Sequence, residues 1–269
     1  MEYTVESRDC RLHVYDTMGD GPILLIMHGV ATDGSFFRKT AEILKDSYRV
    51  ISYDRRGHSA SIAGEDASYT AHQQALDAAA ILNRAGAGSA DVAACSAGGI
   101  VALELARTCP DRVRRLFLHE TPFAADEQIQ AVYDQTLLQL HEAADKGRIT
   151  KAMVILIHAM GGRDRKAEPV TLEQEARNLE NYKIFLYHEM DEFLRYGVDH
   201  EKIELAMPCT MASGSMDSEG LFSKYVPAAA GRLGASYLRV PGYHNLAWDE
   251  PETFASCLCS AMKNMGAEI

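Results

Sequence analysis

Long apolar runs are missing from this 269-residue chain, and no stretch approaches the roughly 20 apolar residues that cross a bilayer. The N-terminus, Met1-Glu2-Tyr3-Thr4, has neither the basic start nor the apolar core of a secretion signal. Positive charge is scarce: 27 Lys and Arg face 38 Asp and Glu, for a formal charge of −11. That balance supplies no basic footprint for nucleic acid, and it repels anionic small molecules at long range. The six cysteines, at positions 10, 95, 109, 209, 257 and 259, form no C-x-x-C pair and show no zinc spacing. A reducing compartment would leave them as thiols. These absences predict a cytoplasmic protein acting on a small-molecule substrate, with no nucleic-acid or membrane partner and no metal or organic cofactor. They leave the oligomeric state open.

What is present begins with Asp91-Val92-Ala93-Ala94-Cys95-Ser96-Ala97-Gly98-Gly99, an apolar run that ends in a serine among small residues. The pattern predicts a strand, a sharp turn and a helix start, with Ser96 at the apex in a strained conformation. Such a turn closes only if the residues two before and two after are small, which Ala94 and Gly98 satisfy. Moving the apex by one residue would make Cys95 the nucleophile, flanked by Ala93 and Ala97. The Ser96 register is preferred, because only it places Gly98 and Gly99 where the helix passes close to the turn.

A nucleophilic serine needs a base within reach and an acid behind that base. Val240-Pro241-Gly242-Tyr243-His244 reads as a short strand breaking into a loop that presents a histidine. Upstream, residues 209–214 form another apolar run, followed by Ser215-Met216-Asp217. Asp217 is therefore the first choice of acid. Glu120, which ends the predicted strand Leu116-Phe117-Leu118-His119, is its rival. Both keep the order Ser, acid, His. Pro22-Ile23-Leu24-Leu25-Ile26-Met27-His28-Gly29 reads as a buried strand whose following loop offers the N–H of Val30 to an oxyanion, with Ala97 N–H as the second donor. His28 is expected to brace this loop rather than act as a base.

His28-Gly29, Asp54-Arg55-Arg56-Gly57, the Ser96 elbow and Pro241-Gly242-Tyr243-His244 together resemble the α/β-hydrolase superfamily over nearly the whole chain. With His119-Glu120-Thr121-Pro122, the resemblance narrows to a group of poorly characterised bacterial hydrolases. It implies an α/β fold: a mostly parallel, doubly wound sheet with a helical cap insertion. Alternating strand and helix signals support this independently up to about residue 122 and again from 208. Between them, from 123 to 207, helical periodicity dominates, so this segment is expected to be the cap and the flanks the hydrolase core. Ile129, Val132, Tyr133, Leu137 and Leu140 share one helical face, as do Tyr182, Phe185, Leu186, Glu189, Phe193 and Tyr196. Residues 161–166 read as a loop between cap helices; without a preceding strand or a following Lys-Ser/Thr they are not a phosphate loop.

The expected chemistry is hydrolysis of a small ester through an acyl-enzyme at Ser96. The same residues would also serve a carbon–carbon bond hydrolase or a perhydrolase, and a non-catalytic binding protein on this fold is the third possibility.

Overall fold

The computed structural model describes residues 1–159, 171–199, 203–216 and 221–267. The chain opens with an antiparallel pair, β1 (Glu2–Ser7) and β2 (Cys10–Asp16), and continues through β3 (Ile23–Met27), α1 (Arg38–Leu44), β4 (Arg49–Tyr53), the short β5 (Ile62–Ala63) and α2 (Ala71–Arg84). Next come β6 (Ala90–Cys95), α3 (Gly98–Thr108) and β7 (Val113–His119). Among the described residues, the helices α4 (Glu127–Asp145), α5 (Ile149–Ala159), α6 (Leu172–Ile184) and α7 (Met190–Asp199) follow before the sheet resumes. The chain ends with β8 (Cys209–Gly214), α8 (Leu221–Arg232), β9 (Ser236–Val240), α9 (Leu246–Asp249) and α10 (Pro251–Ala267).

The strands form one sheet in the order β1-β2-β4-β3-β6-β7-β8-β9, with β5 paired to β2. From β4 to β9 every pairing is parallel, while β1 and β2 are antiparallel. Parallel strands need crossovers on both faces, so central strands must be apolar on both sides. β6 obeys this rule. Val92 and Ala94 pack toward α2 and α3, while Ala93 and Cys95 pack with Phe117, Phe254 and the α10 side. All six of its residues are buried.

The helical segment between β7 and β8 carries apolar faces. Ile129, Tyr133, Leu137 and Leu140 of α4 are buried, with Val132 at the edge and half-buried, and Tyr182, Phe185, Leu186, Glu189, Phe193 and Tyr196 are buried further on. One departure from simple periodicity is a π-helical turn at Phe185–Glu189, which joins α6 to α7. Such a turn holds an extra residue and re-aims the side chains around it. Residues 161–166, read as an interhelical loop, lie outside the described residues.

Polar contacts tie this segment to the sheet side. Asn181 Nδ2 donates to Thr32 O at 3.0 Å, and Glu192 Oε1 accepts from Ala71 N at 2.9 Å. Tyr196 Oη donates to Glu104 Oε2 at 2.6 Å. Among the described residues, no helix is long and apolar enough to cross a membrane.

Candidate active site

The site assembles at the C-terminal ends of β3, β6, β7, β8 and β9, where an open α/β sheet places its ligands. β6 ends at Cys95, and the next residue, Ser96, has a φ of 52°. A non-glycine residue in the left-handed region costs free energy and persists only where its surroundings hold it. Two surroundings do so here. Ser96 N donates to His119 O at 2.8 Å, locking the turn onto β7. A Cβ on Gly98 would lie 2.7 Å from Met27 O, so only glycine lets α3 start against β3. Cys95, the alternative apex, instead remains in β6, paired with His119. Burial and the nearby Glu120 carboxylate push its thiol pKa up, away from thiolate chemistry.

Glu120 immediately follows β7 and also has a positive φ, 49°. Its carboxylate bridges two loops: Oε2 lies 2.6 Å from His244 Nδ1, and Oε1 accepts from Gly214 N at 2.7 Å. Burial alone would raise its pKa. The hydrogen bond to His244, supported by the His119 and His244 fields and the Gly214 N–H, overrides this and brings it down to about 2. A carboxylate only accepts, so Nδ1 of His244 carries the proton and Nε2 presents a lone pair. Phe222, at the start of α8, stacks flat on the imidazole, with centroids 5.0 Å apart and planes 7° from parallel.

The acid first expected, Asp217, lies outside the described residues. The partner seen on His244 Nδ1 is its rival, Glu120, and the reason is positional. β6 and β7 are register neighbours, with Cys95 opposite His119, so Ser96 and Glu120 leave the sheet side by side. The glutamate then needs only to reach across the end of β8, where the Gly214 N–H meets it.

Ser96, Val30 and Ala97 line one apolar cavity of about 20 Å³, walled by Tyr133, Leu156, Phe185, Leu194 and Phe222. Phe222 therefore touches both sides of the site, lining the cavity with Ser96 and covering His244. No hydrogen bond joins Ser96 Oγ to His244 among the described residues. A space this small holds about one water molecule. The chain bends sharply after Val30, where Ala31 has a φ of 60°. Gly29 packs so closely that a Cβ there would lie 2.8 Å from Ser96 Cβ.

His28 braces, as expected. Its Nε2 accepts from Arg55 N at 2.9 Å, which leaves Nδ1 to donate to Gly29 O at 2.9 Å. Burial, aided by Arg55 and His58, holds its pKa well below the ordinary histidine value, so it stays neutral. Asp54 orders the neighbouring loops by accepting from Gly34 N and Ala60 N, although burial raises its pKa to about 6.

The arrangement also contains a pair that motif reading missed. Arg55 makes a two-pronged contact with Glu189, at 2.6 and 3.1 Å, and both side chains are fully buried. Gln74 adds a third hydrogen bond to the same carboxylate. The available signal was Glu189 itself, a charged residue on an otherwise apolar helical face. Because Glu189 closes the π turn that carries Phe185, the pair links the loop after β4 to the cavity wall. Among the described residues, no group of three or more His, Cys, Asp or Glu side chains is placed to hold a metal ion.

Comparison with known proteins agrees with this architecture. The family model described as alpha/beta hydrolase fold matches residues 22–162, and the chain belongs to that family; it is a hydrolase of the α/β-hydrolase fold. It is similar to the uncharacterised hydrolase YraK of Bacillus subtilis, at 27% identity over 248 residues, covering 90% of this chain and 88% of that one. It is similar also to a zearalenone hydrolase of Cladophialophora bantiana, at 24% identity, covering 94% and 93%. Among solved structures, a thermophilic esterase from Thermogutta terrifontis superposes with a TM-score of 0.73 at 19% identity, covering 98% and 99%.

Proposed function

We propose that this chain is a serine hydrolase that cleaves a small carboxylic ester through an acyl-enzyme at Ser96, with His244 as base and Glu120 as acid. The observation that carries this reading is the 2.6 Å contact between Glu120 Oε2 and His244 Nδ1, which leaves Nε2 available as a base. A serine held at a φ of 52° in the strand-to-helix turn, lining one cavity with Val30 and Ala97, supports it.

Ser96 Oγ attacks the ester carbonyl while His244 Nε2 takes its proton, and Glu120 stabilises the imidazolium. The Ser96–His244 hydrogen bond forms as substrate enters; such bonds are commonly long or absent before binding. The N–H groups of Val30 and Ala97 receive the developing oxyanion, a contribution of about 10²–10³ in rate per donor. His244 then protonates the alcohol as the ester C–O bond breaks. Water repeats the attack and releases the acid. Helices α4 to α7 act as a cap that keeps bulk water from the acyl-enzyme, with residues 123–207 as the cap unit and 1–122 with 208–269 as the core. The related proteins named as hydrolases and as an esterase add support.

The test is intact-mass analysis after exposure to a fluorophosphonate probe. One adduct, mapping to Ser96 and lost in Ser96→Ala, is expected. No adduct over several hours would count against an activated serine.

A further inference from the structure

The cavity at Ser96 is built from two parts of the chain. The ends of the sheet strands bring Ser96, Val30 and Ala97 to it, and the helices between β7 and β8 bring large apolar side chains. Leu156 comes from α5 and Leu194 from α7, and both are buried. The room left between these groups is about 20 Å³, enough for one water or one methyl group.

Among the described residues, no charged side chain lines this space. The Thr136 hydroxyl, which does line it, donates to Val132 O at 3.0 Å, so its proton is already used. Tyr133 stays a neutral phenol, because burial and the nearby Tyr225 push its pKa well above the ordinary tyrosine value. A carboxylate or an ammonium group placed here would lose its hydration and meet no opposite charge.

Tetrahedral chemistry selects the part of a substrate that would lie in it. The attacked carbon carries Ser96 Oγ, the oxyanion at the Val30 and Ala97 N–H groups, the leaving oxygen and the acyl chain. The leaving oxygen must reach His244 Nε2, and His244 does not line this cavity. The acyl chain is the group left to enter. We infer that the cavity is the acyl subsite, that it takes a short, uncharged acyl group of about two or three carbons, and that Leu156 and Leu194 set this limit. The inference rests on the Ser96 acyl-enzyme reading. Two magnitudes decide the length. A methylene that finds room strengthens binding about fourfold, whereas one forced against packed walls weakens it about fivefold or more. With room for about one methyl group, the second effect wins as the chain grows.

The experiment measures kcat/KM for the p-nitrophenyl esters of acetate, butyrate and hexanoate and for mono-p-nitrophenyl succinate, each divided by that ester's hydroxide-catalysed rate. The wild type is expected to prefer acetate to hexanoate by about tenfold or more. It should prefer butyrate to succinate, which has the same chain length but ends in a carboxylate, by at least about tenfold. The double variant Leu156→Ala with Leu194→Ala is expected to raise the hexanoate-to-acetate ratio by about tenfold or more, and the milder Leu156→Val and Leu194→Val by about twofold or more. Because the ratio compares two substrates on one preparation, it is independent of how much active protein each variant yields. Should the double variant not fold, the valine variants decide. A wild type that takes hexanoate as well as acetate, or succinate as well as butyrate, would overturn the subsite. An unchanged ratio in both valine variants would overturn the part given to the two leucines. Release of no p-nitrophenol from any of the four esters would instead bring down the Ser96 reading, and this inference with it.

Discussion

Glu120 and His244 are separated by 124 positions in the chain and by 2.6 Å in the fold. The acid leaves the end of β7 and the histidine follows β9, so the pair spans the end of β8, and Gly214 N–H clasps the second carboxylate oxygen. A Cβ on Gly214 would sit 2.5 Å from Gly242 O and 3.2 Å from Glu120 Oε1. The loops can therefore meet around the carboxylate only because that position is glycine.

The first prediction concerns the acid. Glu120→Gln keeps the shape but can no longer hold Nδ1–H, and kcat should fall by up to about 10⁴. Asp217→Asn should change kcat by less than about threefold. Steady-state kinetics on a chromogenic ester decides the matter, and equally large losses in both variants would refute the assignment.

A second prediction follows from the lowered Glu120 pKa. A carboxyl whose folded pKa of about 2 lies below its unfolded value contributes stability that is complete above roughly pH 4.5 and is lost as pH falls toward 2. The stability gap between wild type and Glu120→Gln, measured by urea unfolding, should therefore shrink between pH 4 and 2.5. A gap that stays level or widens between pH 4 and 2.5 would mean the carboxylate is not held in its charged form.

The Arg55–Glu189 pair should behave as a buried ion pair. Glu189→Ala strands a buried guanidinium and should cost about 3–5 kcal/mol in chemical denaturation. The double variant Arg55→Met with Glu189→Leu should cost clearly less than that single change. Because Phe185 sits on the same π turn and lines the cavity, the single variant should also lose turnover. Additive losses in the double variant would show that the charges do not act as a unit.

Gly29 tests the tightness of the oxyanion loop. A Cβ there would press on Ser96, 2.8 Å from its Cβ and 3.3 Å from its Oγ. Gly29→Ala should lower kcat by about 10²–10³, comparable to losing one oxyanion donor, with only a modest fall in melting temperature. Unchanged kcat would show that Val30 need not be held so close to the nucleophile.

The strand and helix order was legible because it is written locally. Residues 91–99 could hardly be anything but strand, turn and helix. The start of α2 is equally local: Thr70 and Gln73 stand three residues apart, and the Thr70 hydroxyl accepts from Gln73 N at 3.2 Å. The apolar stripe through Tyr182, Phe185 and Phe193 is buried as its spacing required. The π turn within that stripe was not legible, since inserting one residue per turn leaves the apolar spacing almost unchanged over so short a span.

Sequence alone thus determined the order of strands and helices, the apex at Ser96 and the loop carrying His244, because each is marked by residues a few positions apart. Only the tertiary structure decided that Glu120 meets His244 and that Arg55 reaches Glu189. Those are meetings between strand ends and helices far apart in the chain. Their partners are selected by strand register and by the small residues that let loops approach, and no local pattern records that choice.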